Sequence, residues 1–197
     1  MDIVIASGNP GKIREIRAAL DIPGIKLLTH AELGDWPEPE ESGSTFDENA
    51  EIKALALMER FGLAALADDS GLEVDYLGKR PGVHSSRYAG PEGDAYRNMD
   101  RLLAEIQGVP ADKRTARFVC VVALARPGGG TVFTRGTCEG EILTEGRGEG
   151  GFGYDPVFLP EGFDRSMAEL SIEEKNAISH RGKALRAMAE KINSLAS

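Results

Sequence analysis

Cysteine and histidine are scarce in this chain, with two Cys and three His among 197 residues. There is no CxxC spacing, so a thiolate or Cys/His zinc site lacks its ligands. Cys120 and Cys138 each fall within a run read as a core strand, so neither belongs to a disulfide framework. Long apolar runs are missing too. None approaches the ~20 residues that span a bilayer, and a membrane partner is not expected. Met1-Asp2-Ile3-Val4-Ile5 has no basic region and too short an apolar segment for a signal peptide. The expected location is therefore reducing and cytoplasmic. Positive charge is also short: 23 Lys and Arg against 32 Asp and Glu leave a net charge of -9. That excludes a protein that coats nucleic acid with a broad basic face. It does not exclude a small anionic ligand held by local Lys and Arg, and it suits a hard divalent cation. With no internal repeat, low-complexity segment or linker, residues 1–197 read as a single domain.

What is present centres on Leu63-Ala-Ala-Leu-Ala-Asp68-Asp69-Ser70-Gly71-Leu72-Glu73-Val74. The apolar run up to Ala67 predicts a buried strand, and Ser70-Gly71 predicts a turn at its end. Two adjacent carboxylates repel unless a metal, a base or a proton compensates them. Taken alone, the same residues also suit a solvated turn.

Earlier, residues 2–6 predict a strand, and Ile13, Ile16, Arg17 and Leu20 keep helical spacing. Between them lies Ser7-Gly8-Asn9-Pro10-Gly11-Lys12. A strand, a glycine loop and a helix start make an anion site, with free backbone N–H groups and the dipole directed at the ligand. The spacing is neither a Walker A loop nor a dinucleotide fingerprint. Residues 25–29 predict a second strand. Glu40 and Glu41 sit in a stiff, Pro-containing acidic loop, where neighbours on an extended chain face opposite ways. Thr45 and Glu48 then form a capping box ahead of a helix that buries Phe46, Ala50, Ala54, Leu57, Met58 and Phe61 and ends at Gly62. Asn49 and Lys53, four apart, edge that stripe, and Lys53 either snorkels outward or points into a cleft.

Residues 78–90 form a long glycine-rich loop, and residues 95–106 an amphipathic helix. Residues 118–125 are apolar on both faces, which predicts a central strand with an antiparallel partner at 131–137. Glycines around Phe152, Gly153, Tyr154 and Asp155 suggest backbone brought close to a flat ligand. Ser171 and Glu174 repeat the capping pattern, with Lys175, His180 and Arg181 gathered before the closing helix.

Five stretches then match one family in order: Ser7-Gly-Asn-Pro-Gly-Lys12, Phe46-Asp-Glu-Asn-Ala50 with Lys53, Ala67-Asp-Asp-Ser-Gly-Leu72, Gly151-Phe-Gly-Tyr-Asp-Pro156 and Ser179-His-Arg-Gly182. Their order and spacing, over residues 3 to about 190, resemble the inosine/xanthosine triphosphate pyrophosphatases. The resemblance implies an α/β fold with a long curved mixed central sheet flanked by helices, two lobes with a nucleotide cleft between them, and a homodimer. It implies Mg²⁺-dependent hydrolysis of ITP, dITP or XTP to the nucleoside monophosphate and pyrophosphate. Ser7, Gly8, Asn9, Pro10, Gly11 and Lys12 would hold the triphosphate, and Ser70 would touch it. Asp69 would be general base and metal ligand, aided by Lys53, with Glu40 of the Glu40-Glu41 pair sharing the metal. Phe152, Gly153, Tyr154 and Asp155 would hold the base, with Lys175, His180 and Arg181 completing the pocket. Ser7 stands where Thr is commoner in the family, which keeps the hydroxyl.

The implied chemistry suits the residues. A triphosphate needs its charge neutralised and a water activated, and Lys12, Lys53, Lys175 and a carboxylate beside a metal supply both. Donors from Arg181 or His180 toward a 6-oxo purine would penalise a 6-amino group by leaving a buried donor unpaired. Two other classes compete: a pyrimidine or modified-nucleotide pyrophosphatase, and a non-enzymatic nucleotide- or RNA-binding module. The residues 152–155 with His180 and Arg181 oppose the first, and acids beside phosphates oppose the second.

Overall fold

The computed structural model describes residues 1–196. Six strands form one mixed sheet: β1 (Asp2–Ile5), β2 (Lys26–Leu28), β3 (Ala64–Val74), β4 (Thr115–Arg126), β5 (Gly130–Ile142) and β6 (Phe158–Pro160), in the order β2-β1-β3-β4-β5-β6. β1 runs parallel to both neighbours, with Val4 opposite Leu28 and Ala65, while β5 and β6 are antiparallel. The helices are α1 (Pro10–Ala19), α2 (His30–Leu33), α3 (Phe46–Phe61), α4 (Ala95–Glu105), α5 (Ile172–Ile178) and α6 (His180–Ala196). Among the described residues, no helix is long and apolar enough to cross a membrane.

The chain folds as two compact units. The first holds residues 1–69, 120–136 and the chain from 181, and the second holds residues 70–119 and 137–180. In the first unit the pleat of β3 sorts the core. Alternate residues of a strand face opposite ways. Ala64 and Leu66 pack with Ile16 and Leu20 of α1 and with Leu185, Met188 and Ile192 of α6. Ala65 packs with Val4, Trp36 and Leu57 of α3. The second unit has its own core of Leu72, Val74, Leu102, Ile106, Phe118 and Phe158, the two Phe rings 4.6 Å apart.

Most predicted elements form. α3 is capped at both ends as read, by the Thr45/Glu48 box and by left-handed Gly62, and α5 starts on the Ser171/Glu174 box. The predicted turn at Ser70-Gly71 does not form. β3 continues through both residues to Val74, because Leu72 and Val74 are fully buried and Leu72 N–H is bonded by Ser85 Oγ at 2.8 Å. Part of the expected loop 78–90 is a 3₁₀ turn at Gly82–Arg87.

Candidate active site

The pleat that divides the first unit's core also separates the paired carboxylates. Asp68 continues the row of Ala64 and Leu66 toward α1 and α6, and Asp69 continues the row of Ala65 toward α3. Asp68 Oδ2 accepts from Lys12 Nζ at 3.0 Å and from Arg181 Nε at 3.3 Å. Arg181 also reaches Glu15 Oε2 through Nη1 at 3.0 Å. Burial works to raise the Asp68 carboxyl, but Lys12, Arg181 and Lys53 outweigh it and hold the group well below the usual carboxylate range. Asp68 is a fixed negative charge.

Asp69 has the opposite character. Its Oδ1 accepts from Lys53 Nζ at 3.2 Å and its Oδ2 from Asn49 Nδ2 at 3.3 Å. Burial pushes its pKa up, Lys53 pulls it down, Glu41 pushes it up again, and the net shift is upward. Two adjacent carboxyls thus differ in proton affinity because each meets a different face of the fold.

Lys53 points inward. Its ammonium bridges Glu41 Oε1 at 2.9 Å and Asp69, and these two anions keep its pKa raised against burial. Of the acidic neighbours it is Glu41 that joins this group, whereas Glu40, expected to share the metal, is exposed. Glu41 is carried by a loop docked through Gly43, whose N–H donates to Asn49 Oδ1 at 2.8 Å. A Cβ at Gly43 would come within 2.6 Å of Asn49 Oδ1 and 2.7 Å of Glu48 Cβ. Gly43→Ala is therefore expected to push the loop off α3 and, if this cluster carries the chemistry, to lower turnover roughly tenfold or more, since an ångström of misplacement is that damaging. Steady-state kinetics beside circular dichroism checks this. Asn49, fully buried on the helix, links this loop to Asp69 and was not assigned from sequence. The available signal was a polar residue four before Lys53 on a buried stripe.

The 7–12 loop differs from expectation in one respect. Several of its amides are not free: Asn9 caps α1, its Oδ1 accepting from Gly11 N at 2.8 Å and Lys12 N at 3.2 Å. Asn9 N in turn donates to Ser7 Oγ at 3.2 Å, and Pro10 has no N–H. Asn is among the best N-cap residues, and Pro suits the first helical position, so the sequence alone permitted this reading.

The remaining expected site residues lie in the second unit. Asp155 Oδ2 accepts from Phe152 N at 3.1 Å and Lys175 Nζ at 3.2 Å. Burial raises its pKa, and Lys175 offsets this in part. Gly151, at φ 79°, leaves room for that pair, because a Cβ there would overlap the Asp155 carboxylate and Lys175 Nζ. Tyr154 belongs to the unit's core and donates its hydroxyl to Ser85 O at 2.9 Å, while Phe152 is exposed. Gly153 is left-handed, at φ 62°. His180 stacks on Phe118, ring centroids 5.2 Å apart, and Ser70 is half-buried in β3.

The chain is similar to known proteins over nearly its whole length. The model of the Ham1 family matches residues 3–191. A dITP/XTP pyrophosphatase of Geobacillus kaustophilus is 52% identical over 190 residues, 96% of this chain and 93% of that one. The dITP/XTP pyrophosphatase of Desulforamulus reducens is 49% identical, covering 99% of this chain and 97% of its own. Among solved structures, the Ham1 protein of Staphylococcus aureus superposes with a TM-score of 0.91 at 38% identity, covering 98% of this chain and 99% of that one.

Proposed function

The chain belongs to the Ham1 family, and on that premise we propose that it hydrolyses non-standard purine nucleoside triphosphates. Substrates of the dITP, ITP and XTP class yield the nucleoside monophosphate and pyrophosphate, which clears them from the nucleotide pool. The observation that carries the mechanism is the split between Asp68, held ionised by Lys12 and Arg181, and Asp69, raised by burial. A carboxylate raised toward neutrality is the better general base, so Asp69 takes the proton from the attacking water. Lys53, held by Glu41 and Asp69, keeps that carboxylate oriented and balances its charge. The 7–12 loop binds the polyphosphate, with Lys12 fixed in place by Asp68.

The donor set fits Mg²⁺. Asp69 and Glu41 are hard oxygen donors that already share the Lys53 ammonium, and Mg²⁺ commonly takes one or two carboxylates with substrate phosphates and waters. Among the described residues no group of three or more His, Cys, Asp or Glu could hold a metal by itself, which suits completion by substrate. We assign the protein's share to Asp69 and Glu41 in place of Glu40. When bound, the ion supplies charge neutralisation on the phosphates and acidifies water.

For base recognition we propose residues 152–155, with Asp155 held by Lys175, and His180. Arg181 gives Nε and Nη1 to carboxylates, so its role lies in fixing Asp68. The resemblance also supports a homodimer, which sedimentation equilibrium tests. Cys120 and Cys138 are buried and not joined in a disulfide, which is consistent with a reducing, cytoplasmic setting.

The deciding assay follows pyrophosphate and monophosphate release from dITP, ITP, XTP, dATP and dGTP, with and without Mg²⁺. Release of orthophosphate, or equal rates on the standard triphosphates, sinks the proposal. Lys12→Ala should lower kcat/KM by about 1.5–3 kcal/mol, the size of a charge-assisted hydrogen bond. The loss should be the same for dITP and XTP, because this loop reads phosphate and not base. A strongly base-dependent loss contradicts that assignment.

A further inference from the structure

One side chain of the first unit is pinned in place with no work assigned to it. His30 opens α2, and its ring lies flat on Trp36, centroids 3.6 Å apart and planes 14° from parallel. Trp36 is itself buried with Val4, Leu57 and Ala65 and meets Phe61 edge-on at 5.4 Å. The platform therefore cannot tilt without opening that core. His30 Nδ1 is buried and makes no hydrogen bond, with Asp35 Oδ1 standing 3.5 Å away. Nε2 lies 3.8 Å from the point that a Cβ on Gly8 would occupy, and Glu38 Oε1 lies 3.4 Å from the same point. Gly8 is not among the left-handed glycines, so it supplies space there and not unusual backbone geometry.

We propose that His30 is a further phosphate-contacting residue, donating from Nε2 to a polyphosphate oxygen held at Gly8. The inference rests on the reading of the 7–12 loop as the phosphate cradle. Three features support it. The stack fixes the ring before ligand arrives, so little ordering is required on binding. The ring's two nitrogens face different ways: Nδ1 is buried 3.5 Å from the Asp35 carboxylate, which leaves Nε2 to face the loop at Gly8. Finally, Glu38 Oε1 stands beside Gly8, so an arriving phosphate gains from a donor placed between the two.

Calorimetric titration of inorganic tripolyphosphate with Mg²⁺ present tests this without requiring turnover. His30→Phe keeps the stack and removes the donor, and should bind tripolyphosphate roughly tenfold more weakly, the loss of one charge-assisted hydrogen bond. His30→Gln, whose amide nitrogen reaches the position of Nε2, should recover most of the affinity. His30→Asn, too short to reach, should not, and the Gln–Asn comparison serves alone if the Phe variant fails to fold. KM for dITP should rise in parallel with kcat little changed. Wild-type affinity in His30→Phe, or equal affinity in the Gln and Asn variants, overturns the inference. Wild-type protein that binds tripolyphosphate but releases no pyrophosphate from dITP overturns the proposed function alone. Wild-type protein that fails to bind tripolyphosphate overturns both.

Discussion

Asp69→Asn should lose roughly 10²–10⁴-fold in kcat on dITP, the range that removing a general base spans, while the protein stays folded. Asn keeps the volume and can still accept from Lys53 through its one amide oxygen, but its NH2 faces the Asn49 Nδ2 donor and it cannot take a proton. The stability side follows from the direction of the shift. A carboxyl whose folded pKa is raised destabilises the fold progressively as pH climbs from its ordinary value of 3.8 through the raised one. A neutral side chain escapes that penalty, so the unfolding midpoint at pH 7 should not fall by more than a few degrees. In the wild type, the rising limb of kcat/KM against pH should lie above the ordinary aspartate value of 3.8. That limb should vanish in the variant. Near wild-type kcat in Asp69→Asn would remove Asp69 from the chemistry, and a collapsed midpoint would recast it as structural.

Arg181→Ala should be the most destabilising single change at the site. The guanidinium is 8% exposed and its partner Asp68 1% exposed. Removing Arg181 leaves the buried Asp68 carboxylate paired with Lys12, and breaking a buried pair costs about 3 kcal/mol. In a domain of this size that lowers the midpoint by roughly 10 °C. Asp68 titrates below its ordinary value, so the stability it contributes is complete above pH ~4 and is lost as pH falls further. The gap between wild type and variant should therefore hold above pH ~4 and narrow as pH falls from there toward ~2, read by denaturant unfolding at each pH. A gap that stays constant through that window would mean Arg181 acts through packing and not through Asp68. Activity measurements on this variant are informative only below its lowered midpoint.

The fold was largely legible because much of it is decided locally. Thr45/Glu48 and Ser171/Glu174 fix helix starts within four residues, and Gly62 ends α3 through its own backbone. Ser70-Gly71 misleads for the opposite reason. Their turn tendency is overridden by burial of Leu72 and Val74 and by the bond from Leu72 N to Ser85, thirteen residues away. At the site, motif order drew attention to Asp69, Lys53 and the 7–12 loop, but not to what each side chain touches. Whether Glu40 or Glu41 meets Lys53 depends on how a Pro-containing loop docks on Asn49. Arg181 and Asp68 are 113 residues apart, and no local pattern announces that pair. The capping of α1 by Asn9 is a different case, since the residue types sufficed to read it.

The pleat of β3 also limits how this protein can vary over time. Asp68 and Asp69 differ in role only because one residue of strand turns the chain over, with Val4 opposite Ala65 and Ile5 opposite Leu66 setting the phase. Side chains along the strand can drift in size while the two carboxylates keep their surroundings. A single codon gained or lost between Ala65 and Asp68 is another matter, since it would turn the Asp69 carboxylate to the Lys12–Arg181 side and the Asp68 carboxylate to Lys53. Lineages can therefore reshape this strand by exchange of residues but not by change of length.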